Sequence, residues 1–283
     1  MIPSVFDYVR AASVDDAIRL LGDHGEDAKI LAGGMSLIPM MKLRFASPQT
    51  LIDIRKIPSL TGITVSGDRV TIGALTNHAA IAADAGLRKA APALWDAANV
   101  LGDPQVRNLG TIGGSVSHAD PAADYPAVML ALEAEFTVAG PQGERKIAAT
   151  EFFRGMFETS LGEREILTSV AFDAAPASAY VKFHHPASHY AVVGAAAVLS
   201  LRDGAIGTAR VALTGLYETA FRAPGVEQAL RGVNGTDEAA VAKATEGAAG
   251  EGEARGDTFA SGKYRKAMAA VFAARAVERA ASR

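Results

Sequence analysis

The sequence predicts an α+β fold, in which strands and helices mix without strict βα alternation. Three observations carry this expectation. Apolar residues recur at helical spacing in the first segment and again towards the C-terminus, and short apolar or β-branched runs face one another across turn-forming residues. The third is a composition shift at Ala174-Ala175-Pro176-Ala177-Ser178, which divides the 283 residues at about 175. At about 150 residues per domain this length makes roughly two domains, 1–175 and 176–283. Apolar types total 49% of residues and aromatics only 6%, so the core must be mostly Ala, Val, Leu and Ile.

Ser13 caps a first helix in which Val14, Ala17, Ile18 and Leu21 share one face before Gly22 and Gly25 stop it. A short strand, Lys29 to Ala32, runs into Gly33-Gly34, and Ser36 opens a second helix with Pro39 tolerated in its first turn. Strands follow at Thr50 to Ile54, Ile63 to Val65 and Val70 to Ile72, the last two joined as a hairpin across Ser66-Gly67-Asp68. Helices are expected from Asn77 to Asp84 and from Leu87 to Ala98, ending in a loop at Gly102-Asp103-Pro104. A second Gly-Gly lies at Gly113-Gly114, after which Asp120-Pro121 opens a helix over Ala122 to Leu132 with Pro at its first position. Glu135 to Ala139 and Arg145 to Ala148 form a hairpin around Gly140-Pro141-Gln142-Gly143. Beyond the boundary Tyr180 to Phe183, Ala195 to Leu201 and Ile206 to Thr214 read as strands, and the remainder as helix.

The 28 Lys plus Arg and 31 Asp plus Glu are interleaved, giving a formal charge of −3 and no broad basic surface for a nucleic acid. No stretch approaches the roughly 20 apolar residues of a bilayer span. The opening Met1-Ile2-Pro3-Ser4-Val5-Phe6-Asp7 lacks the pattern of a signal peptide, so a cytoplasmic location is expected. The chain has no Cys. That excludes a thiol nucleophile, a Cys-ligated zinc or an iron–sulfur cluster held by this chain.

The two Gly-Gly segments are the most informative feature. Consecutive backbone N–H groups can hold a diphosphate without Lys or Arg if Gly lets the chain approach closely and a helix N-terminus lies nearby. Ala32-Gly33-Gly34-Met35-Ser36 and Thr111-Ile112-Gly113-Gly114-Ser115 both meet that description; two tight turns are the alternative. Neither G-x(4)-G-K-[ST] nor G-x-G-x-x-G occurs. Asp120 and Asp124 suit a helix start: Asp120 reads as a cap, whereas Asp124 is placed to accept from ribose hydroxyls or to cap. His185 and His189 have i, i+4 spacing, but Pro186 argues against the helix a metal pair would need. No nucleophile elbow is present. No catalytic side chain and no metal ligand is assigned.

These segments, extended to Ala32–Arg44, Leu51-Ile52-Asp53-Ile54, Asp103–Gly114 and His118-Ala119-Asp120-Pro121-Ala122-Ala123-Asp124-Tyr125-Pro126, resemble the FAD-binding medium subunit of the molybdenum hydroxylases. The nearest type is that of carbon monoxide dehydrogenase, with the xanthine dehydrogenase flavoproteins in the same family. The likeness runs from Ile2-Pro3 to Arg275-Ala276-Val277-Glu278-Arg279-Ala280. It implies an FAD-binding fold of the vanillyl-alcohol-oxidase-like type in two α+β subdomains, about 1–57 and 58–175. A C-terminal domain of 176–283 with a small antiparallel sheet and helices completes it. Carried over by position, Ala32, Gly33, Gly34, Met35 and Ser36, with Thr111, Ile112, Gly113, Gly114 and Ser115, would hold the pyrophosphate and Asp124 the ribose. Leu161 and Leu167 would lie near the rings, Lys182 near the pyrimidine edge of the flavin and Tyr190 against its face. Met35 and Ser115 stand where the family usually has Gln or His and Asn.

The resemblance implies electron transfer with FAD as cofactor. A large molybdopterin-binding subunit would hydroxylate the substrate, and a small subunit with two [2Fe–2S] clusters would deliver electrons here for an external acceptor. The assembly would be a dimer of heterotrimers. Two other readings remain open on the residues: a self-contained flavin oxidoreductase, and a flavin-free nucleotide-binding module.

Overall fold

The computed structural model describes residues 2–283. A parallel three-stranded sheet comes first, ordered β1 (Asp7–Arg10), β3 (Thr50–Asp53), β2 (Ala28–Leu31). Ser13 Oγ accepts from Asp16 N at 3.0 Å and starts α1 (Val14–His24), whose Ala17, Ile18, Leu20 and Leu21 are buried against the sheet. Gly22 lies inside α1 rather than ending it, and Gly25, at φ 58°, is the stop. The short α2 (Leu37–Lys42) follows β2, with Ser36 at its N-cap.

An antiparallel five-stranded sheet is ordered β4 (Ile63–Ser66), β5 (Arg69–Gly73), β10 (Ile166–Asp173), β6 (Glu135–Gly140), β7 (Gly143–Ala148). Both expected hairpins, β4–β5 and β6–β7, are present. The central strand β10 has no counterpart in the sequence reading, because a register shift between Leu167 and Ser169 breaks its alternation. Between β5 and β6 come α3 (His78–Ala83), α4 (Ala85–Ala90), α5 (Pro92–Val100), α6 (Pro104–Leu109), α7 (Ile112–His118) and α8 (Tyr125–Ala131). Several of these correct the sequence expectation. The helix expected over Leu87 to Ala98 is two, because Pro92 has no N–H and starts a new one. Gly102-Asp103-Pro104 is the entrance to α6, with Asp103 capping through Val106 N at 2.8 Å.

The helix expected from Ala122 begins only at Tyr125. Asp120 Oδ1 accepts from Ala122 N at 2.8 Å, and the carbonyls of Pro121, Ala122 and Ala123 are taken by groups outside any helix. Those donors hold 121–123 in a turn. After β7, α9 (Ala149–Phe152) leads into a small hairpin of β8 (Phe153–Gly155) and β9 (Glu158–Thr159).

A third sheet is antiparallel, in the order β11 (Ser178–His184), β12 (Ala191–Arg202), β13 (Ala205–Thr214), β14 (Phe221–Arg222). Its central strand β12 is buried on both faces. Val193, Ala195, Ala197 and Leu199 face one core with the C-terminal helices, whereas Ala196 and Val198 face the other with Tyr125, Val128 and Tyr180. The helices α10 (Pro224–Ala229), α11 (Glu238–Thr245) and α12 (Gly262–Ala281) cover the first face. Ser261 caps α12, and Ala269, Phe272, Ala273, Ala276, Val277 and Ala280 are its buried stripe. The third sheet therefore shares a core with the helices that carry α7 and α8.

Candidate functional site

A cavity of about 700 Å³ opens where the three sheets meet. That size lies within the 300–1,000 Å³ typical of a cofactor-sized ligand. Ala32, Gly33, Gly34, Met35 and Ser36 form one wall, Thr111, Gly113, Gly114 and Ser115 another, and Asp124, Leu161, Leu167 and Tyr190 complete it. The structure thus brings together all but two of the residues named from the sequence. Ile112 is fully buried beneath the wall, anchoring α7 in the main core. Lys182 is not on the wall either: its ammonium lies behind Asp124, donating to Oδ2 at 2.9 Å and to Val100 O at 3.3 Å, because the desolvated carboxylate attracts it inward.

The two glycine segments meet the cavity in different ways. Among the described residues the N–H groups of Gly33, Gly34, Met35 and Ser36 have no protein acceptor. Gly34 sits at φ 75°, which turns this run of donors to one side. At the second segment, by contrast, the donors are consumed internally. Ile112 N gives to Thr76 O at 3.0 Å, Gly113 N to Ala74 O at 2.9 Å and Gly114 N to Thr111 Oγ1 at 3.1 Å. Gly113-Gly114 is therefore the first turn of α7 and not a loop, which corrects the sequence reading. What glycine supplies there is room: a Cβ on Gly113 would stand 2.5 Å from that of Ala74. The two walls also touch, since a Cβ on Gly33 would stand 2.2 Å from Leu109 O.

Among the described wall residues Lys29 is the one Lys or Arg, so an anion here is met by backbone N–H groups rather than by a cation. Leu21, Ile54, Leu161, Ile166 and Leu167 make one region of the wall apolar. Asp124 accepts from Tyr180 Oη at 2.6 Å as well as from Lys182. Burial pushes its pKa up, and the Lys182 charge and the Tyr180 hydroxyl pull against that. Ser36 makes no capping bond with its side chain, and its hydroxyl faces the Tyr190 phenol, whose pKa burial and Asp120 push up.

Sequence reasoning missed several wall residues: His78, Gly110, His118 and Phe157. His118 packs on Phe157 with ring centroids 5.0 Å apart, and burial lowers its pKa against the pull of Asp120. Ala119, Phe157 and His189 all adopt left-handed backbone, at φ 49°, 59° and 60°. Such conformations in residues other than glycine cluster at functional sites. No spacing signal marks these positions. His185 Nδ1 accepts from Ala187 N and Ser188 N, both at 3.2 Å, and closes the turn that presents Tyr190.

The residues present fit a flavin dinucleotide. Unpartnered N–H groups suit its diphosphate, a buried carboxylate with room to accept suits its sugar hydroxyls, and apolar walls suit its rings. Comparison with known proteins agrees. The family described as FAD binding domain in molybdopterin dehydrogenase matches residues 4–173, and that described as CO dehydrogenase flavoprotein C-terminal domain matches residues 178–280. The carbon monoxide dehydrogenase medium chain of Hydrogenophaga pseudoflava is 41% identical, over 100% of this chain and 99% of that one. The medium chain of Afipia carboxidovorans is 38% identical with the same coverage. The crystal structure of the Cu,Mo-CO dehydrogenase superposes with a TM-score of 0.95 at 38% identity, covering 100% of this chain and 99% of that one. Quinoline 2-oxidoreductase of Pseudomonas putida 86 does so at 0.94 and 33%, again over 100% and 99%. This chain therefore belongs to the family of FAD-binding medium chains of the molybdenum hydroxylases.

Proposed function

We propose that this chain is the electron-transfer subunit of a heteromeric molybdenum hydroxylase, binding FAD in the cavity between its sheets. The carrying observation is the run of unpartnered N–H groups from Gly33 to Ser36 on a cavity of cofactor size. FAD, when bound, takes up electrons singly or in pairs, and supplies the redox chemistry. This chain's residues bind and orient. Ala32 to Ser36 hold the diphosphate, Thr111 to Ser115 shape its other side, and Asp124 accepts from the sugar hydroxyls. Leu161 and Leu167 line the apolar region for the rings, and Tyr190 packs against the flavin. Lys182 acts through Asp124, keeping the carboxylate charged and fixed.

The chain has no Cys to ligate an iron–sulfur cluster, and in this reading electrons arrive from [2Fe–2S] clusters on a small partner subunit. A large partner with the molybdenum cofactor oxidises the substrate, the whole forming a dimer of heterotrimers in the cytoplasm. The likeness to both a carbon monoxide dehydrogenase and a quinoline oxidoreductase supports placing substrate choice in the large subunit. The change of sheet between Asp173 and Ser178 supports an FAD-binding unit of 1–175, with 1–57 and 58–175 as its halves, and a C-terminal unit of 176–283. The test is to purify the chain alone and with its partners. It should bind FAD, show flavin absorbance and oxidise neither carbon monoxide nor an N-heterocycle unaided. Turnover by the single polypeptide would refute the proposal and favour a self-contained oxidoreductase.

A further inference from the structure

His78 opens α3 and is buried, yet it belongs to the cavity wall. Its Nδ1 lies 3.0 Å from the hydroxyl of Tyr125, which is fully buried. Burial holds that phenol far from ionisation, and among the described residues it has no other acceptor to turn to. Tyr125 therefore donates to Nδ1. The proton of the neutral imidazole is then on Nε2. The ring stays neutral at ordinary pH because burial, with Arg107 nearby, lowers its pKa to about 4.

Nε2–H has no protein acceptor among the described residues, and it is not sealed off. The one enclosed and unpartnered side-chain atom of the described chain is Arg265 Nε. Gly110 packs against the Nε2–Cδ2 edge of the ring, where a Cβ would stand 2.6 Å from Nε2 and 2.8 Å from Cδ2, so only glycine lets the ring sit here. Gly33 packs on the same residue, with its own missing Cβ 2.7 Å from Gly110 Cα. Gly33, where the unpartnered N–H run begins, and His78 thus pack on the same residue, Gly110, and both line the cavity. A ligand with several anionic oxygens is what neighbouring neutral donors on one cavity wall suit.

We propose that His78 is a further binding residue for the cofactor, donating from Nε2–H to an oxygen of its diphosphate, with Tyr125 fixing the required tautomer. The inference rests on the FAD reading of the cavity. His78 acts as a neutral donor and adds no charge, which matches a wall with Lys29 as its one Lys or Arg among the described residues.

The experiment is FAD titration of the full chain, wild type against His78→Phe, His78→Gln and Tyr125→Phe, with the melting temperature of each apo form. His78→Phe keeps the ring and loses the donor, and should weaken FAD binding about 10- to 100-fold, as expected for losing a hydrogen bond to a charged group. His78→Gln keeps an N–H and should recover most of that loss. Tyr125→Phe frees the tautomer and should fall between them. Should His78→Phe not fold, long-range 1H–15N spectra of the wild-type chain decide: His78 should carry its proton on Nε2, and that resonance should move when FAD is added. Equal FAD affinity for wild type and His78→Phe, equal losses for Phe and Gln, or an unmoved Nε2 resonance would each overturn the inference. Failure of the wild-type chain to bind FAD would instead strike the reading beneath it.

Discussion

Lys182 and Asp124 are both almost fully enclosed, with side chains 2% and 5% exposed and 2.9 Å between their charges. A buried pair of this kind adds little over an apolar substitute, but removing one partner strands the other. Lys182→Met should therefore destabilise the apo chain by about 3–5 kcal/mol at neutral pH. The sign with pH follows from the remaining group. Without the ammonium, burial and the Asp120 charge are opposed by the Tyr180 hydroxyl alone, so the folded pKa of Asp124 rises further above the unfolded value. Such an acid contributes stability below the unfolded pKa and loses it as pH rises through the folded one. The deficit of Lys182→Met relative to wild type should grow from acid towards neutral pH in urea unfolding, while Lys182→Arg keeps most of the stability. A pH-independent deficit would mean that the lysine matters for packing alone. The sequence contains both residues, but 58 positions apart. Their pairing is a product of β11 reaching the start of α8, which no local pattern reveals.

At the scale of elements, the parallel sheet β1-β3-β2 ends on Asp53, a carboxylate buried at the end of the central strand. Burial raises its pKa, but Arg55, through side chain and backbone N–H, and the Tyr8 hydroxyl more than offset this and bring it to about 2. An acid held below its unfolded value stabilises above that value and loses the contribution as pH falls through the folded one. Asp53→Asn should cost about 2 kcal/mol at pH 7, and should flatten the loss of stability that the wild type shows between about pH 4 and pH 2. Parallel acid-unfolding curves for the two proteins would mean that the strand end draws nothing from this charge. The same scale shows what the sequence makes legible. Local chemistry reports itself: Ser13 caps α1, Ser66-Gly67-Asp68 turns a hairpin, and the apolar run Ala195 to Leu201 reads as the strand that is part of β12. Elements fixed from a distance do not. The register shift in β10 hides a central strand, Gly113-Gly114 hides the start of α7, and 121–123 is kept from helix by donors 69 to 94 residues away. The glycine segments stand out in the sequence and both line the cavity, but the internal consumption of the second segment's donors was not legible.

The whole molecule is organised so that its last sheet finishes a cavity begun by the first two. Asp96, buried in α5, accepts from Arg279 and Arg283, each at 2.9 Å, and from Tyr180 N at 3.1 Å, tying the end of α12 to the helical layer. Nearer the cavity, Ala191 N donates to Ala122 O at 3.1 Å and Gly215 N to Pro121 O at 2.9 Å. Thr214, fully buried at the end of β13, places its hydroxyl 2.9 Å from both Pro121 O and Ala123 O. These contacts hold the short turn between Asp120 and Asp124, yet Thr214 itself is no part of the wall. Thr214→Val preserves shape and removes one hydroxyl, leaving Ala123 O short of a donor while Pro121 O keeps Gly215 N. A loss of about 1–3 kcal/mol in stability follows from that desolvation. If the third sheet positions the site, the same change should also weaken FAD binding several-fold, because Asp124 is displaced from the geometry in which it accepts. A remote substitution in a layer that merely adjoined the cavity would lower the unfolding free energy and leave FAD affinity untouched. Calorimetric titration of FAD into Thr214→Val, alongside its urea unfolding, separates the two outcomes. Unchanged affinity in the destabilised variant would show that the C-terminal sheet supports the fold without tuning the site.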